Sequence, residues 1–166
     1  MSLLVFLHVG SLINFAVLLI AAAWQDLRTL RIANGLPMAI VISFVPWAFA
    51  GLELGSLSLA AIYASVLCAV VVFALGVLGF ALGLLGGGDV KLLTAASLFA
   101  GPALQLDFLT VTALVGGLLG VALLAGAPIG PVLARSAPHA RLRGSLPYGP
   151  AIAAGGLWVA ASLALA

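Results

Sequence analysis

Long apolar runs dominate this chain and limit the environment in which it can fold. The first extends from about Leu3 to Trp24 with no Asp, Glu, Lys or Arg, and about 20 such residues are what a helix needs to cross a bilayer. Only 6% of the 166 residues are charged, and 65% are apolar, whereas a soluble domain has about 25% charged residues. So little charge cannot cover a water-soluble fold. We therefore expect one all-α integral membrane domain over residues 1–166.

Hydropathy divides the chain into six predicted transmembrane helices. Their approximate bounds are Leu3–Trp24, Leu36–Ala50, Leu57–Leu82, Asp89–Gly101, Phe108–Ala125 and Pro147 to the C-terminal residue. The second and fourth are the shortest. The sequence thus predicts a bundle of about six helices.

The charged residues favour six crossings independently of hydropathy. With six, every Lys and Arg falls on one side of the membrane, and Glu53 and Asp107 lie alone on the other. Five or seven crossings would break this segregation. The side rich in Lys and Arg faces the cytoplasm, so both termini are predicted outside and the protein in the inner (cytoplasmic) membrane. The partner expected of such basic residues is the lipid bilayer, not nucleic acid.

Two aspartates, Asp26 and Asp89, are predicted on the same side as the basic residues. A carboxylate is costly near hydrocarbon and is rare there without a function. Asp89 follows Gly86, Gly87 and Gly88, which lack side chains and so let another chain come close. Two carboxylates brought together cannot both ionise easily, so one can act as a base and the other as an acid. Such a pair could activate water to attack a peptide carbonyl and then protonate the leaving amine.

Each of these residues also has a plain structural interpretation. Asp26 alone could be a charge that marks a helix end, and Asp89 could be an ordinary N-cap after a glycine turn. Lys91 could be a topology signal or act on Asp89, and Asn34 could cap the second helix or line the site. The one cysteine, Cys68, lies in an apolar run, and the two histidines are far apart. They form no cluster of metal ligands, so we expect neither a metal nor a cofactor.

Three segments resemble the type IV prepilin peptidase family. Residues 26–34 (DLRTLRIAN) resemble the segment around its first aspartate, although the family commonly has proline where this chain has Ala33. Residues 86–91 (GGGDVK) match its GxGD motif with the usual Val-Lys extension, and residues 147–153 (PYGPAIA) resemble the signature at the start of its last helix. The three matches follow the family's order along the chain.

The resemblance implies an aspartic endopeptidase with Asp26 and Asp89 as its catalytic pair. The implied substrate is a prepilin-like protein, cut at the cytoplasmic face between its short basic leader and its apolar helix. We assign Gly86, Gly87 and Gly88, together with Lys91 and Asn34, to the substrate-binding surface. Larger members also carry a cysteine-rich insert that methylates the new N-terminus. This chain has one cysteine and looks like the short, peptidase-only branch that serves tight-adherence (Flp-type) pili.

Two other classes of protein would also use intramembrane aspartates or a small helical bundle. One is a small proton-coupled transporter or channel subunit, in which the aspartates bind or relay ions; the other is a non-catalytic assembly subunit. A transporter is expected to place its carboxylates near the bilayer midplane, beside broken helices. Both aspartates here fall at predicted helix ends, which favours hydrolysis at the membrane face. The sequence gives no indication of the oligomeric state.

Overall fold

The computed structural model describes residues 3–126 and 147–165, and the regular secondary structure there is entirely helical. Its helices are α1 (Leu3–Thr29), α2 (Gly35–Glu53), α3 (Leu59–Ala81), α4 (Gly87–Leu124) and α5 (Gly149–Leu165). The first four are long and apolar enough to cross a membrane, and α5 is a shorter apolar helix. The all-α integral membrane class is therefore confirmed. The predicted loop with Arg135, Arg141 and Arg143 lies outside the described residues.

The described residues form five helical elements rather than the six predicted, because the predicted fourth and fifth helices join directly within α4 at Gly101, the residue at which the fourth was predicted to end. The loop predicted between them is wrong, since Asp107 is an exposed residue inside α4. The helix is interrupted at Gly101, with φ 54° and ψ −171°, and Pro102 follows. This backbone conformation is essentially restricted to glycine, and proline removes an N–H from the helix ladder. Gly101 and Pro102 thus make the turn for which a longer loop was expected.

The chain reverses direction at Gly101. The side-chain amide of Gln105 donates a hydrogen bond to Ser97 Oγ over 3.2 Å, although residues eight apart in a straight helix are separated by about 12 Å along the axis. Leu93 and Leu109 line the same groove, whereas a straight helix would hold them about 24 Å apart. The second half of α4 therefore runs back along the first.

The first half of α4 packs antiparallel to α3 at close range. A Cβ atom at Gly76 would lie 2.8 Å from Val90 Cγ1, and one at Gly101 would lie 2.7 Å from Ser65 Oγ. Both contacts require a glycine, because a side chain would push the two helices apart. The packing of α4 against α3 thus sets the levels in the bundle at which α4 begins, beside Gly76, and reverses, beside Ser65.

An aromatic cluster joins α1, α2 and α4 and sets the level of the two aspartates. The rings of Phe15 and Phe99 stack with centroids 4.1 Å apart, and Trp47 packs against Phe99 at 5.3 Å. Phe15 precedes Asp26 by 11 residues, and Phe99 follows Asp89 by 10. Antiparallel packing about this stack therefore carries both aspartates to the same end of the bundle.

We predict that Gly101→Ala destabilises the protein. The new Cβ would meet Ser65 Oγ at 2.7 Å, and the backbone conformation is strained for any residue with a side chain, by about 1–3 kcal/mol. Thermal unfolding in detergent should show a clear loss of Tm. Gly10→Ala is the matched control, because within the part of the chain that the structure describes no atom lies within 4 Å of its Cβ position. A Gly101→Ala variant as stable as the wild type would contradict the assigned break.

Candidate active site

Asp26 lies inside the last turns of α1, not in the loop predicted for it, because α1 continues to Thr29. Its side chain is only 4% exposed. Its Oδ2 accepts a hydrogen bond of 2.7 Å from the backbone N–H of Gly149, the first residue of α5. The free N–H groups at the start of a helix stabilise a carboxylate placed there. The start of α5 therefore holds Asp26 in position.

Asp89 is the third residue of α4, so the simple N-cap interpretation is wrong. The N-cap position belongs to Gly86, whose N–H donates to Asp89 Oδ2 over 3.1 Å. A carboxylate at the third position commonly reaches back in this way to satisfy a free amide at the helix start. Asp89 is 8% exposed. Its conformation is thus fixed by its own helix, independently of α5.

The structure brings the two carboxylates together. They are close enough for a charge on Asp26 to act on Asp89, and both are more than nine-tenths buried. Each uses Oδ2 for its backbone hydrogen bond, which leaves Oδ1 available to water or to the other carboxyl group. The Arg28 guanidinium, two residues from Asp26, lies 4.3 Å above the centre of the Trp24 ring.

The connection between α1 and α2 lies across the first turn of α4. Ile32 packs against Gly88, where an added Cβ would come within 3.2 Å of Ile32 Cβ. The backbone N–H of Ala33 donates to Gln25 Oε1 at 2.8 Å. A proline at position 33 could not donate this bond. The hydrogen bond from Ala33 therefore supplies rigidity that a proline ring would otherwise give the connection.

Asn34 and Lys91 contact each other. Asn34 occupies the N-cap position of α2 without making a side-chain capping bond, so the capping interpretation is wrong. Its Oδ1 instead accepts a hydrogen bond of 2.8 Å from Lys91 Nζ. This bond ties the α1–α2 connection to α4 beside Asp89. The assignment of both residues to substrate binding stays a prediction.

Of the three glycines before Asp89, Gly86 and Gly88 lie close to other side chains of this chain, whereas Gly87 has more room. None has a positive φ. A Cβ at Gly86 would lie 2.7 Å from Asp89 Oδ2, so a side chain there would force the carboxylate to shift. Gly88 admits Ile32, and a Cβ at Gly87 would make only ordinary contact with Phe80. Their assignment to substrate binding also stays a prediction.

Gly149 is a site residue that was not predicted from the sequence. An ideal Cβ there would lie 2.7 Å from Asp26 Cβ and 2.8 Å from its Oδ2. The signal was present as the glycine in residues 147–153, but hydropathy and spacing do not show which residue a helix start will face. Only the fold pairs it with Asp26.

Comparison of the sequence with models of known protein families assigns the chain to one of them. The sequence model of the type IV leader peptidase family matches residues 13–121, which include both Asp26 and Asp89. The chain belongs to the type IV leader peptidase family. This membership confirms the resemblance seen in the sequence and implies a peptidase. No curated protein and no solved structure matches the chain significantly.

We predict that Gly149→Ala lowers the peptidase activity of this family member by displacing Asp26. The added methyl group would overlap the Asp26 side chain and disturb the N–H bond that holds it. The rate of leader removal per folded molecule should fall by about tenfold or more, as for catalytic groups misplaced by about 1 Å. Gly35→Ala is the control at the same end of the bundle, since no atom of the described residues lies within 4 Å of its Cβ position. Equal activity in both variants would show that Gly149 does not position Asp26.

Proposed function

We propose that this chain is a membrane aspartic endopeptidase that removes the basic leader from prepilin-like proteins. Asp26 and Asp89 would act as its acid–base pair. The observation that carries the proposal is the pair itself: two carboxylates, both more than nine-tenths buried, within electrostatic reach of each other. Membership in the leader peptidase family supports the reaction type.

In the proposed reaction one carboxylate takes a proton from a water molecule. The water oxygen attacks the carbonyl carbon of the scissile peptide bond, and the protonated carboxyl group donates a hydrogen bond to the developing oxyanion. Collapse of the tetrahedral intermediate breaks the C–N bond, and the leaving nitrogen takes a proton from the pair. The products are a new carboxyl terminus on the leader and a new amino terminus on the mature protein. Either aspartate can begin as the base.

The proposed orientation places the aspartate end of the bundle at the cytoplasmic face of the inner membrane. Arg28, Arg31 and Lys91 lie at this end, whereas Glu53 ends α2 at the opposite end. Because α4 begins at this face and its second half runs back along the first, crossings by α1, α2, α3 and α5 would leave both termini outside. The positive-inside rule gives the direction.

The proposed substrate class is the Flp-type prepilin of tight-adherence pili. The larger family members that resemble this chain carry a cysteine-rich insert, and the 166 residues here contain one cysteine. A peptidase without the methylating activity is the simplest enzyme consistent with that composition. Its products would keep an unmodified amino terminus.

One observation favours the rival transporter class. A helix broken inside the bundle, as α4 is at Gly101, is typical of ion and substrate sites in transporters. However, Asp89 lies 12 residues before the break, or about 18 Å along the helix. The carboxylates are therefore not at the broken segment, and proteolysis accounts for their position better than ion transport does.

We predict that Asp26→Asn and Asp89→Asn each abolish leader removal. Loss of a group that transfers protons in the reaction reduces the rate by about 10²–10⁴-fold, and neither neutral amide can replace an acid–base carboxyl group. The assay is co-expression with a prepilin-like substrate, with loss of the leader read by mass spectrometry. Glu53→Gln is the matched control, because this exposed carboxylate ends α2 away from the pair. Near wild-type cleavage by either Asn variant would remove that residue from the mechanism.

Cysteine labelling tests the proposed orientation. In a Cys68→Ser background, Ser56→Cys in the α2–α3 connection should react with a membrane-impermeant maleimide added outside intact cells. Arg31→Cys, in the α1–α2 connection, should react only after the membrane is opened, because basic connections stay in the cytoplasm. Labelling of position 31 from outside would reverse the orientation and place the aspartates on the wrong face for leader removal.

A further inference from the structure

The α1–α2 connection (residues 30–34) is tied to the end of α1, beside the first aspartate. The backbone N–H of Ala33 donates to Gln25 Oε1 at 2.8 Å. The Thr29 hydroxyl lies 2.9 Å from the carbonyl oxygen of Gln25 and 3.0 Å from that of Arg31. Gln25 directly precedes the first aspartate in the sequence. The connection is therefore fixed to the turn of α1 that holds that carboxylate.

Two further contacts tie the same connection to the first turns of α4. Ile32 lies across Gly88: a Cβ placed at Gly88 would come within 3.2 Å of Ile32 Cβ and 3.6 Å of its backbone N and O atoms. Lys91 Nζ donates to Asn34 Oδ1 at 2.8 Å. Gly88 directly precedes Asp89, and Lys91 follows it by two residues. The two contacts therefore bracket the second aspartate.

The backbone of the connection begins in a conformation that leucine does not favour. Leu30 has a φ of 52°, and its N–H donates to the carbonyl oxygen of Asp26 over 2.8 Å. A residue with positive φ just past the end of a helix is usually glycine. Other residues keep such a conformation only where the surrounding structure over-determines it. At Leu30 the surrounding structure is the set of ties to α1 and α4.

The helices that carry the two aspartates do not pack along each other in the described residues. The backbones of α1 and α4 pack instead on α2 and α5. The stack of Phe15 on Phe99 joins them, but it lies 10 or 11 residues from the aspartates, or about 15 Å along the helices. A tilt of about 4° at that stack would move a carboxyl group by about 1 Å. A tie close to the site is therefore needed to fix the spacing.

We infer that the α1–α2 connection sets the spacing of the two carboxyl groups, with Gln25, Asn34 and Lys91 as positioning residues for the reaction. The inference rests on the proposed function. Residues two apart in a helix do not face each other, so Lys91 acts on Asp89 through Asn34 and the connection. Both carboxyl groups must reach one water molecule, and a misplacement of about 1 Å can cost about 100-fold in rate. Asn34 and Lys91 then act on kcat, not on substrate affinity.

Steady-state kinetics of the purified full-length chain test the bond between Asn34 and Lys91. Lys91→Met removes the ammonium group and Asn34→Ala removes the acceptor; both residues are exposed, so the fold should be retained. With a synthetic substrate of basic leader plus apolar helix in a neutral detergent, kcat should fall about tenfold in each variant, with KM within about twofold of the wild type. Lys91→Arg keeps a charged donor, so its kcat should stay within about threefold of the wild type.

A double variant separates one shared bond from two independent contacts. If Asn34 and Lys91 act through their mutual bond, combining Asn34→Ala with Lys91→Met should lower kcat no further than either change alone, because the effects of residues in contact are not additive. Two independent contacts would instead multiply the losses and overturn the inference. If Lys91→Met does not fold, Asn34→Ala carries the same test from the other end of the bond.

The tie to α1 has its own variant and a matched control. Gln25→Met removes the acceptor that holds the N–H of Ala33, and it should lower kcat about tenfold with KM nearly unchanged. Arg31→Met is the control, because it removes a cation from the same connection but keeps the backbone carbonyl that lies by the Thr29 hydroxyl. Its kcat and KM should stay near the wild-type values. An equal loss of kcat in Arg31→Met would overturn the inference, since charge alone would then explain the effect.

Hydrogen exchange read by mass spectrometry tests the ties without any activity assay. The N–H groups of Leu30 and Ala33 are both bonded, and they should exchange faster in Lys91→Met than in the wild type, because local opening becomes easier. Unchanged exchange together with unchanged kcat would overturn the inference. A rise in KM at constant kcat would also overturn it, by making Lys91 a substrate-binding residue. Failure of the wild-type chain to cleave any such substrate would instead overturn the proposed function, so the two failures are distinguished.

Discussion

The burial of two neighbouring carboxylates is the constraint on which the rest of this structure depends. Removing even one carboxylate from water costs several kcal/mol unless it gains partners, and a second one beside it adds repulsion. Asp26 and Asp89 are each compensated by a backbone N–H at a helix start, Gly149 in α5 and Gly86 before α4. Three helices must therefore converge at one point, and their convergence is what makes the site.

The three helices can approach one another this closely only at residues that lack side chains. Gly149 brings the start of α5 against Asp26, and Gly88 admits Ile32 from the α1–α2 connection. Farther along, Gly156 packs directly on Leu19 of α1. These contacts keep α5 antiparallel to α1 over its length, so that the N–H at position 149 points at the carboxylate.

Hydropathy was enough to predict the helical membrane class and most of the helices, and the charge pattern, the glycine run and the family motifs were enough to select the two aspartates that the structure brings together. Both signals are local, since they depend on runs of apolar residues and on short motifs. The fourth helix was predicted to end at Gly101, where the chain reverses, but the tightness of this reversal escaped prediction because Asp107, six positions later, appeared to mark a loop. The contribution of Gly149 and the bond from Ala33 to Gln25 also escaped, because each depends on which segments meet in space.

The most direct test of a shared catalytic pair is the affinity of the purified chain for a substrate peptide in which a hydroxyethylene group replaces the scissile amide. Such a group resembles the tetrahedral intermediate, and it binds tightly only where the groups that contact the reacting atoms are in place. Calorimetric titration in detergent should show tight binding to the wild type. Asp26→Asn and Asp89→Asn should weaken it by similar factors, because both carboxyl groups would contact the hydroxyl. Binding by either variant as tight as by the wild type would contradict the account, since that aspartate would then lie outside the reacting centre.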